Sequence, residues 1–351
     1  MNLLVIRLSA MGDVALTLPV IRTVLEIYPD LHITLVTRQQ FTPFFENVER
    51  LEVVVAEVRG KHKGLPGLFR LFLELKRHRK IHTVVDLHSV LRSRILSFYF
   101  RMTGIRVFSI DKGRKEKRQL TARKNKVFKQ LKHTTRRYAD VFEKAGYPVK
   151  LLLNKNWFNG TEVPGRFLQQ NNLLPRNTKW IGIAPFSKHP EKMWSLQKME
   201  QVIEHFSKKG LKIFLFGGGA DEINQLNSFK RFSNTVIVAG VLTLQQELGL
   251  ISLLNVMISM DSANMHLAWL SGIPVVSIWG ATHPYAGFGP LNGNEKYIVQ
   301  IPHEKLSCRP CSVYGNKSCW RGDHACMEWI QTKEVILMIE NILNQTSKNL
   351  Q

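Results

Sequence analysis

The sequence predicts an α/β protein built from two Rossmann-like domains that face each other across a cleft. Three observations point there. At 351 residues the chain is long enough to bury two ordinary cores. Its strand-like runs are apolar throughout, as in strands covered on both faces of a parallel sheet. Those runs alternate with helical patterns in two successive series, the second beginning near Lys179. An apolar content of 44% and a charged content of 22% are globular values.

In the first series Leu3–Leu8 reads as a strand and Val14–Ile27 as an amphipathic helix ending near Pro29. His32–Thr37 and Leu51–Val55 read as further strands and Leu65–His78 as a helix. His82–Leu87 is then a strand, Val90–Met102 a helix and Arg106–Ile110 a strand. In the second series "KWIGIAPF", Lys212–Gly219, Thr235–Gly240, Val256–Met260 and Pro274–Gly280 read as strands. Between them lie helices over Ser195–Lys208, Asp221–Arg231, Leu244–Leu254 and "HLAWLSG". The stretch from Leu151 to Thr178 carries Asn, Gly and Pro and reads as the boundary. The expected divisions are residues 1–165, residues 175–330, and a closing helix and tail over 331–351.

The formal charge is +22, which implies anionic partners: nucleic acid, an anionic membrane surface or an acidic soluble ligand. The charge peaks between Lys112 and Arg137, where twelve Lys and Arg stand against the single acid Glu116. A solvated face is the plain reading of such a run, and a surface that docks on phosphates is the functional one. Only Phe128 is interleaved, so single-stranded nucleic acid finds no stacking platform. Helix-turn-helix, zinc-finger and aromatic-strand signatures are missing too, which places a nucleic-acid binder far behind. The apolar N-terminus carries Arg7 and Asp13 and lacks a basic leader, so it does not read as a signal peptide. Nor is there an uncharged apolar run long enough to cross a bilayer. A cytoplasmic location is expected.

In open parallel sheets, ligands bind beyond the carboxyl ends of the strands, so the loops there carry the search. After one strand comes "MDSANMHLAWLSG", where Asp261 and Ser262 turn the chain into a helix. Ser262 is placed as an N-cap ahead of Ala263, with His266 expected at the same mouth. The amide groups and dipole at that helix start suit an anion. Capping alone, with a packed His266, is the structural alternative. "APFSKHPEKMW" brings Lys188 and Lys192 to a strand end, where they suit a pyrophosphate or are incidental surface lysines. In "FGGGADE" glycines permit close approach and the following acid can hold ribose hydroxyls. Gly240, Val241 and Leu242 could seat a base. Together these loops describe a nucleotide-diphosphate pocket in the second domain.

The first domain offers "RLSAMGD" and "DLHSVLRSR", both at strand ends. Asp13 is the candidate base, and Ser9, Gly12, His88, Arg92 and Ser93 are candidate acceptor contacts. A carboxylate opposite a nucleotide diphosphate is the arrangement of inverting glycosyl transfer, in which it removes a proton from the attacking hydroxyl. Lysine and a helix N-terminus would stabilise the departing diphosphate without a metal.

On "IRLSAMGDVALTLPVI", "DSANMHLAWLSGIPVVSIWGATHP" and the weaker "DLHSVLRS" and "PEKMW", the chain resembles the ADP-heptose:lipopolysaccharide heptosyltransferases, glycosyltransferase family 9. The resemblance spans nearly the whole chain and implies the GT-B fold. It implies Asp13 as the catalytic base, Lys192 as the diphosphate-binding lysine and Glu222 as the ribose contact. The family's Asp-Thr-Gly-x-x-His motif falls on Asp261, Ser262, Ala263 and His266. Ser262 keeps the hydroxyl of the Thr it replaces, whereas Ala263 excludes a backbone contact that needs positive φ. The implied donor is ADP-heptose and the implied acceptor a lipid A-linked core sugar at the inner leaflet. The first domain would then hold the acceptor, and Lys112–Arg137 would dock on its phosphates or on the membrane. A GT-B nucleotide-sugar enzyme with another donor, or an epimerase needing no acceptor, is the alternative within the fold.

All four cysteines, Cys308, Cys311, Cys319 and Cys326, fall in one short stretch with spacing C-x2-C-x7-C-x6-C. That stretch is geometrically able to bind a structural tetrahedral zinc, with His324 as a substitute ligand. A loop of reduced thiols is the alternative.

Overall fold

The computed structural model describes residues 1–151, 156–158, 162–174 and 177–348. Its contacts divide the chain into two compact units, Met1–Arg114 with Lys132–Leu153, and Lys115–Leu131 with Asn154–Gln351. The boundary expected over Leu151–Thr178 lies partly outside the described residues.

The first unit is a five-stranded parallel sheet of order β3-β2-β1-β4-β5. Its strands are β1 (Asn2–Ile6), β2 (His32–Thr37), β3 (Leu51–Val55), β4 (Thr83–Asp86) and β5 (Arg106–Ser109). The expected first helix is broken in two, α1 (Met11–Ala15) and α2 (Leu18–Ile27). Pro19 cannot donate to a preceding carbonyl, so it sits in the first turn of a new helix instead of the middle of a long one. α3 (Gly64–His78) and α4 (Leu91–Met102) follow as expected. Leu71, Phe72 and Leu75 of α3 and Leu96 and Phe100 of α4 bury against Leu4, Ile6, Val36 and Val84 of the sheet. α5 (Arg114–Leu120) begins at the last residue of this segment, and α6 (Thr134–Lys144) completes the unit. Strand order reverses between β1 and β4, which makes the ends of those two strands the place for a site.

The second unit is a six-stranded parallel sheet of order β11-β10-β9-β6-β7-β8. It comprises β6 (Trp180–Ala184), β7 (Lys212–Leu215), β8 (Thr235–Ile237), β9 (Val256–Met260), β10 (Val275–Trp279) and β11 (Ile298–Gln300). The helices are α7 (Gly165–Gln170), α8 (Leu196–Lys208), α9 (Ala220–Asn227), α10 (Leu244–Ser252), α11 (Ala263–Leu270), α12 (Ala325–Glu328) and α13 (Thr332–Lys348). Here the order reverses between β6 and β9. The closing helix, expected as a separate piece, inserts Val335, Ile339, Ile342 and Leu343 into this unit's core. The three-residue β11 has too few residues to show an alternating or apolar signature in the sequence.

The basic stretch Lys112–Arg137 is not one solvated face, as the two units share it. Leu120 and Leu131 are buried with Ala286, and Phe128 stacks on His303 with ring centroids 3.9 Å apart. Lys117 is buried, its ammonium 4.2 Å from the centre of the Phe288 ring. Lys126 donates to the carbonyls of Ser307, Cys308, Arg309 and Pro310 at 2.8–3.0 Å. In the first unit Arg137 is buried and Lys132 pairs with Asp140 at 2.7 Å. Apolar anchors thus commit several of these cations internally, while Arg118, Arg123, Lys124 and Lys129 stay exposed.

Candidate active site

In the first unit, side chains from the loops after β1 and β4 meet at the reversal of strand order. Arg7, just past β1, is buried, and its guanidinium pairs with Asp13 Oδ2 at 2.6 Å. Another guanidinium nitrogen donates to the Leu87 carbonyl at 2.7 Å, and the group lies 5.6 Å over the Tyr138 ring. Burial works against its charge, but Asp13, Tyr138 and Asp86 outweigh it and raise its pKa. Asp13 is the third residue of α1 and 29% exposed at its side chain. The Ala10 amide donates to Oδ2 at 3.4 Å, so Oδ1 carries none of these contacts.

The second carboxylate at this edge, Asp86, has no exposed surface. It accepts from the amides of His88 and Ser89 at 2.9 and 2.8 Å and from the Ser93 hydroxyl at 3.0 Å. Burial pushes its pKa up, and the three hydrogen bonds offset that only in part. Of the pair, Asp13 is part-exposed and Asp86 is not.

Three of the expected acceptor contacts change character. Ser93 is fully buried and spends its hydroxyl on Asp86 and the Val90 carbonyl. Gly12 is buried inside α1, with no tight turn and no positive φ to require glycine. His88 is buried, with Nε2 3.4 Å from the Ser9 hydroxyl. Its pKa is lowered to about 3 by burial and then by Arg7 and Lys112, so the ring is neutral at physiological pH. Arg92 is exposed and stands with Arg59 near Arg38, whose pKa is lowered by burial and by both neighbours. Half-buried Lys112 is pushed down by burial, Arg7 and Arg114, against the pull of Asp13 and Asp86. Arg7 and Lys112 therefore lie within electrostatic reach of Asp13, and Arg38 within reach of His88.

In the second unit the loops after β6, β7 and β9 leave the sheet side by side, because Ile183 is in register with Leu215 and Ala184 with Ser259. Pro190–Lys192 forms a single 3-10 turn where the sequence predicts none. From it Lys192 pairs with Asp261 Oδ2 at 3.2 Å and donates to the Asp261 carbonyl. Asp261 is buried and also accepts from Thr282 Oγ1 at 2.8 Å. Ser187 donates to the Asp261 carbonyl at 3.3 Å. Ser262 is the N-cap residue of α11, but its hydroxyl lies 3.1 Å from Ser259 Oγ and does not cap the helix. Ser262 thus leaves the helix start uncapped, an end that suits an anion. Ala263 opens α11 without positive φ. His266 is buried instead of standing at the mouth, and its Nδ1 accepts from Trp269 Nε1 at 3.5 Å.

The glycines after β7 form a loop. Gly219 has φ +84, and a side chain at Gly218 or Gly219 would meet nothing within 4 Å, so the surface above them is open. Glu222 Oε2 accepts from the Gly218 amide at 2.7 Å and braces that loop. Lys188 is exposed beside His189, whose pKa is lowered by burial and then by Lys192 and Lys188.

The four cysteines are free thiols bordering one small hollow with Arg309 and Arg321. Among the described residues no three His, Cys, Asp or Glu side chains are arranged to hold a metal ion, so zinc is not supported. Burial pushes the thiols of Cys308 and Cys311 up and that of Cys326 up to about 12. The loop's visible work is mechanical. Arg309, 1% exposed, donates to the carbonyls of Gly280, Trp279, Thr282 and Ile301 and to Gln300 Oε1. Gly315 packs against Lys192 so closely that an added Cβ would lie 2.3 Å from its Cγ. His324 pairs with Glu191, the neighbour of Lys192, at 3.1 Å.

Arg7, Asp86, Lys112 and Thr282 were not among the expected site residues. Arg7 and Thr282 stand inside the motifs "RLSAMGD" and "GATHP", and membership of those motifs is the signal that could have found them.

Two parallel α/β units, each gathering charged groups where its strand order reverses, define the GT-B class. The Glycosyltransferase family 9 (heptosyltransferase) family model matches residues 68–317, and the chain belongs to that family. It is 23% identical to lipooligosaccharide heptosyltransferase 2 of Campylobacter jejuni over 343 residues, 96% of each chain. It is 23% identical to the lipopolysaccharide core heptosyltransferase OpsX of Haemophilus influenzae, covering 81% of this chain and 80% of that one. Among solved structures, Escherichia coli heptosyltransferase WaaC with ADP superposes with a TM-score of 0.69 at 17% identity, over 97% of this chain and 100% of that one.

Proposed function

We propose that this glycosyltransferase moves a heptose from ADP-heptose to the inner core of lipopolysaccharide, inverting the anomeric centre. The support lies in family membership, in the relatives' acceptors and donor, and in the charge arrangement of each unit. One observation carries the chemistry. Of the two carboxylates at the first unit's strand reversal, Asp86 is sealed and hydrogen-bonded, while Asp13 is clamped by Arg7 through Oδ2 and keeps 29% of its side chain exposed.

In this reading Asp13 Oδ1 takes the proton of the acceptor hydroxyl as its oxygen attacks the anomeric carbon and the bond to the diphosphate breaks. Lys192 has three donors, two of them used on Asp261, and the third goes to a phosphate oxygen. The uncapped start of α11 and Lys188 neutralise the rest of the leaving diphosphate. Glu222 accepts from the ribose. The first unit binds the acceptor, with Arg38, Arg59, Arg92 and Ser9 around its anionic sugars, and the second binds the donor.

No helix among the described residues is long and apolar enough to cross a membrane. We place the protein in the cytoplasm, peripheral on the inner face of the cytoplasmic membrane, where its lipid-linked acceptor is held. The exposed cations that remain in Lys112–Arg137 add attraction to acceptor phosphates or anionic lipid.

The test is Asp13→Asn. ADP should still raise the thermal midpoint as it does in the wild type, while transfer from ADP-heptose falls ~10²–10⁴-fold, the range for loss of a positioned base. Near-normal transfer by Asp13→Asn would remove Asp13 from the mechanism.

A further inference from the structure

α3 and α4 of the first unit carry more apolar surface than packing on the sheet requires. Leu68, Leu71, Phe72 and Leu75 of α3 face inward, but Leu65, Phe69 and Leu73 are each about half exposed. The latter three follow one another at intervals of four, so they form a stripe along the helix. On α4, Leu96 and Phe100 face inward, while Leu91 (75% exposed), Phe98 (51%) and Met102 (70%) face out. At about 100° per residue these three positions fall within about 40° of one another. Phe69 and Tyr99 join the stripes, their rings packed edge to face with centroids 5.3 Å apart. The result is one apolar patch across two helices. Soluble surfaces seldom gather so many large side chains without a partner.

Its border is cationic. Arg70, Lys76 and Arg77 lie exposed on α3, and Arg92, Arg94 and Arg101 on α4. α4 has no acid, and the only one on α3, Glu74, is occupied by His62 at 3.2 Å and Lys61 at 3.9 Å. A second copy of this chain is a poor occupant, since a two-fold contact would bring two cationic borders together. An apolar centre framed by cations is what an anionic lipid surface accepts: side chains enter the acyl boundary while arginines meet headgroup phosphates.

We propose that the outer face of α3 and α4 is the membrane-docking surface, seating the first unit on an anionic bilayer through Leu65, Phe69, Leu73, Leu91, Phe98 and Met102. The purpose of this docking rests on the lipid-linked acceptor proposed above, though the binding itself does not. It differs from attraction by the stretch Lys112–Arg137, which supplies charge without an apolar face.

Flotation of the full chain with phosphatidylcholine vesicles, with and without phosphatidylglycerol, tests it. Wild type should bind the anionic vesicles and bind neutral ones at least tenfold more weakly. The variant Phe69→Ser/Phe98→Ser/Met102→Ser should lose at least tenfold in anionic-vesicle binding and keep its thermal midpoint, because all three positions are exposed. The charge variant Arg70→Ser/Arg77→Ser/Arg101→Ser should lose binding too, while Leu253→Ser, an exposed apolar position of the second unit, should not. Transfer to lipid-linked acceptor in vesicles should fall in both triple variants, and transfer to a deacylated soluble acceptor should not. Unchanged vesicle binding by the apolar triple variant overturns the proposal, as does a wild-type dimer that this variant splits. If wild type binds vesicles through this face but transfers to neither acceptor, the docking surface stands and the heptosyl-transfer reading fails.

Discussion

Lys192 and Asp261 pair at 3.2 Å across the reversal of strand order in the second sheet, joining the loop after β6 to the loop after β9. Both side chains are nearly buried, and Asp261 is further held by Thr282. Removing one partner of such a pair leaves the other charge uncompensated. Asp261→Asn should therefore release Lys192 from its position and weaken ADP binding by roughly tenfold or more, corresponding to about 1.4 kcal/mol. Thr282→Val, which removes only the supporting hydroxyl, should have a smaller effect in the same direction. Titration calorimetry with ADP reads both. Equal affinity of Asp261→Asn and wild type would mean that the pair holds the fold alone.

In the proposed mechanism Arg7 is a positioning residue for Asp13. Its planar fork reaches Asp13 Oδ2 and the Leu87 carbonyl at once, which an ammonium cannot reproduce. Arg7→Lys retains the charge and should lower kcat by about tenfold, with the KM for donor unchanged and the ADP-induced thermal shift intact. An equal loss of ADP binding would instead assign Arg7 a general structural role.

The cysteine-bearing loop can be tested through Gly315, where φ is +76 and the side-chain direction is blocked by the Lys192 stem. Gly315→Ala meets both obstacles, with roughly 1–2 kcal/mol of backbone cost in the left-handed region. It should displace Lys192 and weaken nucleotide binding, an effect absent from Gly322→Ala, which has positive φ but open space around it. Similar ADP affinities for the two variants would show that the loop does not position Lys192.

Arg309 anchors the same loop. It is a buried cation held by carbonyl and amide oxygens, and burial lowers its pKa to about 10. Arg309→Met removes the donors and leaves several buried carbonyls unsatisfied at about 1–3 kcal/mol each before relaxation. Thermal unfolding should show a loss on the order of 3–5 kcal/mol, the range for breaking a buried charged network. A loss below about 1 kcal/mol would mean that water replaces the guanidinium.

Both sheets were legible in the sequence because strands buried on two faces are apolar throughout, and the helices between them keep a 3.6-residue period. The roles of individual polar side chains were less so. Ser93 and His88 follow a strand end just as Asp13 does, yet the turn after β4 folds them under Asp86, and no residue type announces that. The basic stretch misled in the same way: its charge was plain, but Leu120, Phe128 and Leu131, spaced widely among lysines, decide where it packs. The cysteine spacing allowed a metal that the arrangement of the thiols does not support, since spacing does not fix where sulfur atoms point.

Glu247, in the first turn of α10, gives the fold a pH dependence of its own. Burial alone raises its pKa from 4.5 to about 7. A carboxyl whose folded pKa lies above the unfolded one favours folding while it is protonated. Its contribution is therefore fully present below about pH 4.5 and is lost as pH rises through about 7, after which it changes no further. At about 1.4 kcal/mol per unit, a rise from 4.5 to about 7 makes the loss on the order of 3.5 kcal/mol between those limits. Glu247→Gln stays neutral at every pH, so the variant should unfold later than wild type at pH 8 and nearly with it at pH 4.5. Denaturant unfolding of both proteins at the two pH values measures the difference, and parallel pH profiles would show that burial does not raise the Glu247 pKa.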